Sequence, residues 1–527
     1  MHAILRRIGI KKAVIISLAI ITVLGLSIRT YRFHDWLRFN ADQSRDAGIV
    51  SDVLDGKIAL PLYGPKAGGT EFRLGPAFYH FEIFSAWLFG NRPDVMAYPD
   101  LFFSILTIPL LYIYLRRRFG MRISLSLTFL YAVSFYTVKY SRFAWNPNSL
   151  PFWSLSFLLG FQKLSEGAPS GGKRWWFWPA VTGVALGVVV QLHTLALVAF
   201  PTMAVLSFAY LALIRKRDIR KPLAVVFLIA VAWNATQAYG EFRTGGENTR
   251  AFMSGVGTKE KKGSGMARNA IKEAVCYTDA NVYVLSSRDR SDTCEIKGIT
   301  KGSGAVVSLL GLIFMIGGIA HSIRSVLRER DERRAFFTLQ FLSVMTLFAL
   351  TLLPLANEIS MRFFLVMTFM PFVFLGMWIE FLAERLPKPA AMIISGIVIV
   401  SLVMMNAVSI GRSFVEYAGY ATLSGGGMDN VTLKEVEQAS AFIVANAGDS
   451  DSAYLVGDAK YLFKAQKSID YLTRRVGIRV LQPGKKTTEG VPVFLVDNSD
   501  KADEILAAGH VEAYGVLGRF TIFKREL

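Results

Sequence analysis

Paired C-x-x-C motifs are missing from this 527-residue sequence, which holds two cysteines in all. It also lacks a G-x-x-x-x-G-K-[ST] phosphate loop and an H-E-x-x-H zinc motif. Soluble nucleotide-driven chemistry therefore finds no motif to rest on. Acidic residues are scarce: 40 Asp and Glu stand against 59 Lys and Arg, giving a net charge of +19. A nucleic-acid binder would cluster its basic residues on polar domains. Here they punctuate apolar runs: Arg6, Arg7, Lys11 and Lys12 precede the first run, Arg116, Arg117 and Arg118 follow the second, and Arg215, Lys216, Arg217, Arg220 and Lys221 follow a later one. With 52% hydrophobic and 13% aromatic residues and a mean hydropathy of +0.38, the chain reads as a polytopic membrane protein with no nucleic-acid partner.

The run at 13–28 has a basic flank and no small-residue cleavage site, so it reads as a retained signal-anchor helix with a cytoplasmic N-terminus. Further runs follow at 99–115, 123–138, 150–164, 177–192, 196–214, 223–236, 305–320, 336–355, 363–382 and 392–408. The expectation is an α-helical membrane domain over 1–410 with about eleven crossings, several shorter than the ~20 residues a span usually needs. Short loops rich in Lys and Arg stay cytoplasmic, which places the long loops 29–98 and 237–302 outside. The first contains alternating apolar and polar stretches expected to form interfacial helices. The second holds Cys276 and Cys294, for which an oxidising compartment permits a disulfide, two free thiols being the other reading. An odd number of crossings leaves the C-terminus outside. From 411 to 527 the composition is that of a small soluble α/β domain, in which Thr432 and Glu435 form a capping box and β-rich runs alternate with helical ones.

The first outer loop carries Phe39-Asn40-Ala41-Asp42-Gln43-Ser44-Arg45-Asp46. A carboxylate beside an arginine at a membrane surface suits proton abstraction next to an anionic leaving group. Outward-facing cations that could hold a phosphate are Arg45, Lys66, Arg73, Arg142, His193 and Arg362, more than one phosphate needs. Each also has a plainer reading. Asp42 could cap a helix or form a solvated pair with Arg45, Lys66 and Arg73 could meet lipid headgroups, and His193 could be a hydrogen-bonded histidine at a helix end. Arg142 and Arg362 could anchor their segments by snorkelling. Phe78, Tyr79 and Trp145 fit an aromatic belt as well as a sugar platform.

Taken in order, Asp42-x-x-Arg45-Asp46, Gly64-Pro65-Lys66, Gly75-Pro76 with Phe78-Tyr79-His80, Arg142 with Trp145-Asn146-Pro147-Asn148, and Gln191-Leu192-His193 form a recognisable series. It resembles bacterial members of the dolichyl-phosphate-mannose–protein mannosyltransferase-like family, GT-C-fold enzymes related to aminoarabinose transferases. The resemblance covers about the first 400 residues. It implies transfer of a sugar from a polyprenyl-phosphate donor to an extracytoplasmic glycan, lipid or protein acceptor with inversion, in a bacterial inner membrane. It also implies Asp42 as general base and Arg45 near the donor phosphate. Relatives often place Asp-Glu at the first stretch and another acid after the third helix, where this chain has Gln43 and Asn146. The carboxylates for a divalent metal are thus incomplete; a metal stays one reading, and the chemistry also makes sense without one. The competing reading is a transporter or flippase of a lipid-linked sugar. Such proteins often show internal repeats with matching Gly/Pro-broken helices, a duplication absent from this sequence.

Overall fold

The computed structural model describes residues 2–166, 175–261, 265–288, 303–418, 431–481, 490–498, 501–509, 511–517 and 520–525. All eleven apolar runs lie in helical segments. Among the described residues, six helices are long and apolar enough to cross a membrane, or eight if two bent pairs each count as one span. The bent pairs are Arg220–Trp233 with Ala235–Arg243, at 57°, and Met361–Met367 with Met370–Arg385, at 64°. The remaining runs form the shorter helices Met121–Val133, Leu150–Ser165 and Phe177–Leu192. Nearly every residue of Leu150–Ser165 is buried against neighbouring helices. It is a packed bundle helix rather than a lipid-facing one.

The first helix, α1 (His2–Thr30), is fixed where it ends. Arg29 is fully buried there, donating to the Ala132 carbonyl at 2.7 Å, Thr137 Oγ1 at 2.9 Å and Ser104 Oγ at 3.0 Å. A buried guanidinium is tolerated only when its donors are matched, and these bonds tie α1 to two other parts of the bundle. The loop that follows holds two further helices, α2 (Ala41–Leu54) and α3 (Ala77–Phe89). Between them, residues 64–75 fold back on themselves through Gly64 N to Leu74 O at 2.7 Å, Ala67 N to Phe72 O at 2.8 Å and Leu74 N to Pro65 O at 3.0 Å. Gly75 has to be glycine: a Cβ there would lie 2.3 Å from the Gln191 side chain. Gln191 Oε1 in turn accepts from Ala77 N at 3.0 Å, so the start of α3 is pinned to the end of Phe177–Leu192.

The helix Lys388–Ala418 runs past the apolar run at 392–408, so the domain boundary expected at 410 falls within it. Five strands follow: β1 (Ser452–Gly457), β2 (Arg479–Leu481), β3 (Val493–Asn498), β4 (Val511–Val516) and β5 (Phe520–Arg525), in the order β2-β1-β3-β5-β4. The β1 strand pairs in parallel with β2 and β3, and β5 runs antiparallel to β3 and β4. The Thr432–Glu435 capping box starts the helix Leu433–Asn446. This unit docks on the first loop. Phe39 N donates to Val431 O at 3.0 Å, Leu433 N to Leu37 O at 2.8 Å, and the Tyr471 and Ser51 hydroxyls meet at 2.9 Å.

Cys276, in the helix Met266–Ser286, is disulfide-bonded. The chain's other cysteine, Cys294, lies outside the described residues.

Candidate active site

The first turn of α2 opens at Asn40, whose backbone N donates to Gln43 Oε1 at 3.2 Å. The Gln43 amide donates to the Ala144 carbonyl at 3.2 Å, which anchors this turn on the loop after the short helix Phe135–Lys139. Asp42 is left exposed, with 63% of its side-chain surface accessible. Arg45 donates Nη1 to Asp42 Oδ1 at 2.9 Å and grips Asp46 through Nε at 2.9 Å and Nη2 at 3.1 Å. Asp46 is 2% exposed and also accepts from Tyr79 Oη at 2.8 Å. Burial pushes the Asp46 carboxyl up to about 6, against the opposing pull of Arg45. One arginine therefore joins a buried carboxylate to an exposed one, and Asp42 Oδ2 accepts no hydrogen bond among the described residues.

The loop under this turn is a ring platform. Phe143 and Trp145 stack at 5.9 Å, and Tyr140 lies 6.0 and 6.2 Å from them. Trp145 N is fixed by Asp100 Oδ2 at 2.9 Å, and Asn146 Nδ2 donates to Leu192 O at 2.7 Å. That bond brings His193 to the same place. The His193 ring is edge-on to Phe363 at 5.2 Å, and the Arg362 guanidinium lies over both Trp145 and Phe363 at 5.7 Å. His193 Nδ1 accepts from Leu195 N at 3.2 Å, capping the helix Thr194–Ala209.

The turn bearing Asp42 and Arg45, the helix end at His193 and the segment of Arg362 thus all meet the 144–146 stretch. The other expected phosphate ligands have different employment. Arg142 is buried and donates to the carbonyls of Arg29 at 2.7 Å, Tyr31 at 2.8 Å, Ile28 at 3.3 Å and Arg32 at 3.5 Å. It closes the end of α1, where a cation matches the exposed carbonyls, and is not open to a substrate. Lys66 is paired with Glu71 at the tip of the 64–75 loop. Arg73 is held through its backbone by Asn248, accepting and donating at 2.7 and 3.0 Å, with its side chain exposed on the flank of that loop. Asp46 and Tyr79 belong to the series read from the sequence, but as a buried acid and its hydrogen-bond donor rather than as a phosphate ligand or a belt residue, and Asp100 has no place in that series. The signals were present: Asp46 is one turn beyond Asp42, and a carboxylate such as Asp100 at the head of an apolar run is costly without a function.

Relatives' metal chemistry does not fit these side chains. The two amides that stand where acids are expected, Gln43 and Asn146, are engaged with backbone groups. Among the described residues no group of three or more His, Cys, Asp or Glu is arranged to hold a metal ion.

Comparison with known proteins bears on the fold. Residues 75–236 match the dolichyl-phosphate-mannose-protein mannosyltransferase family profile. An oligosaccharyltransferase of Archaeoglobus fulgidus, solved with zinc and sulfate, superposes with a TM-score of 0.54 at 14% identity, covering 96% of this chain and 72% of that one. The chain has the GT-C-like fold of these membrane glycosyltransferases and over 75–236 is similar to the protein mannosyltransferases. The oligosaccharyltransferase AglB of Archaeoglobus fulgidus, solved with an inhibitory peptide and a dolichol-phosphate, aligns with this chain at a TM-score of 0.53 and 12% identity, over 98% of this chain and 74% of that one. No curated protein sequence matches this chain. The family match starts after 39–46, so the chemistry of Asp42 rests on the site itself.

Proposed function

We propose that this glycosyltransferase moves a sugar from a polyprenyl-phosphate donor to an acceptor hydroxyl with inversion, Asp42 taking the acceptor's proton. The observation that carries the reading is the pairing of an exposed carboxylate, steadied by Arg45 on a buried Asp46, with the cation Arg362 across an aromatic floor. The acceptor O–H proton passes to Asp42, the oxygen attacks the anomeric carbon, and the C–O bond to phosphate breaks with its electron pair going to the phosphate. We assign Arg362 and His193 to the phosphate on which that charge develops, where matched donors lower the barrier most. The dolichol-phosphate held by the archaeal relative belongs to the lipid class assigned here. We place the site on the extracytoplasmic face of a bacterial inner membrane, with the N-terminus inside and the C-terminal α/β unit outside.

The test is transfer by the purified protein from a panel of polyprenyl-phosphate sugars, with the product anomer read by NMR. A product inverted relative to the donor is expected. Retention, or turnover of nucleotide sugars alone, would overturn the assignment.

A further inference from the structure

Arg38 stands just before the helix that carries Asp42, and nothing above gives it a role. Its guanidinium lies over the Phe143 ring, 4.9 Å from the centroid, and its Nε is buried with no hydrogen-bond partner among the described residues. Its main chain is fixed by a β-bridge to Thr432. Neighbouring arginines are matched: Arg29 and Arg142 by carbonyls and hydroxyls, Arg45 and Arg92 by carboxylates. A buried guanidinium N–H without an acceptor costs free energy unless something that binds there completes it.

The place is suited to an anion. Phe143 stacks on Trp145, Arg362 lies over Trp145, and Ala144 between the rings receives the Gln43 amide from the turn bearing Asp42. Two arginines without a carboxylate partner among the described residues therefore flank one ring pair beside the base. A sugar phosphodiester carries one negative charge. Once the anomeric C–O bond has broken and the acceptor's proton is on Asp42, the released lipid phosphate carries up to two. Arg45 already lies between two carboxylates, so the charge that appears needs another cation.

We infer that Arg38, set on the ring pair next to the turn that bears Asp42, is a ligand of the lipid phosphate and holds it more tightly as it leaves. The inference rests on the polyprenyl-phosphate reading above. It predicts that Arg38→Gln lowers kcat and relieves inhibition by the product lipid phosphate, while KM for the donor changes less. Arg38→Lys, which keeps the charge and the ring contact, should recover much of the loss.

The direct test is titration of the purified full chain with a short polyprenyl phosphate, without sugar or acceptor, alongside thermal melting. Wild-type binding weakened about ten- to a hundred-fold in Arg38→Gln and within a few-fold in Arg38→Lys, at unchanged melting temperature, is the expected result. Equal binding by wild type and Arg38→Gln would overturn the inference and leave the proposed reaction standing. Lowered melting temperature in both variants, with binding per folded molecule unchanged, would make Arg38 a packing residue only. A wild-type protein that binds no lipid phosphate would remove the donor reading and this inference with it.

Discussion

The two sides of the 139–149 loop treat arginine in opposite ways. Arg142 faces the end of α1 and has carbonyl partners for both terminal nitrogens. One and three residues on, Phe143 and Trp145 present ring faces to Arg38 and Arg362, which have no acceptor among the described residues. The first arrangement is complete without a ligand, and the second is not. The residue type is the same on both sides, so an arginine at this loop is no sign of a phosphate site until its acceptors are counted.

Substitution separates the two sides. Arg142→Gln should have the largest effect, because it leaves buried carbonyls at the end of α1 without their charged donor. Removing one side of such a network typically costs about 3–5 kcal/mol, so little folded protein should survive detergent extraction and size-exclusion chromatography. A folded, inactive Arg142→Gln would instead move Arg142 into the site. Arg362→Gln should fold normally and transfer about ten- to a hundred-fold more slowly, the effect of one lost charge-assisted hydrogen bond. Native-rate transfer by this variant would make Arg362 an anchor and erase the contrast.

The third effect is smaller and depends on pH. Burial raises the Asp46 carboxyl from 3.8 to about 6 in the folded protein, so folding favours its protonated form. That contribution to stability is fully present below about pH 4 and is lost as pH rises through about 6. Asp46→Asn should remove this part of the pH dependence, giving a melting temperature that falls less between pH 4 and 7 than in the wild type. Parallel curves for the two proteins would show that Asp46 does not titrate in this range.

The fold was legible because its signals are long and repeated. Eleven apolar runs bounded by basic residues, and a Thr432–Glu435 capping box before the last unit, survive any uncertainty of one or two residues. Strand β4 was not legible: Val-Glu-Ala-Tyr-Gly-Val carries a Glu and a Gly, and β5 beside it supplies the ladder that its own propensity does not. The span of Lys388–Ala418 exceeds its apolar run for a related reason, since helical hydrogen bonding continues through Gly411-Arg412-Ser413, where the apolar run is broken. At the site, the approach of the segments bearing Asp42, Arg45, His193 and Arg362 to one stretch followed from placing them all at one end of the bundle. Which cations remain open did not, because acceptors such as the carbonyls of Arg29 and Tyr31 come from the backbone and leave no mark in the sequence. Arg38 was passed over for the same reason: only the fold lays it on Phe143.

The most direct measurement is transfer by purified Asp42→Asn, compared with wild type on the same polyprenyl-phosphate donor and acceptor. Asparagine keeps the size of the side chain and an acceptor oxygen for Arg45, but it takes up no proton. General-base catalysis contributes about 10²–10⁴-fold, so the variant should lose activity in that range while retaining its fold and its binding of the lipid donor. A rate within a few-fold of wild type would contradict the assignment of Asp42 and the reaction built on it.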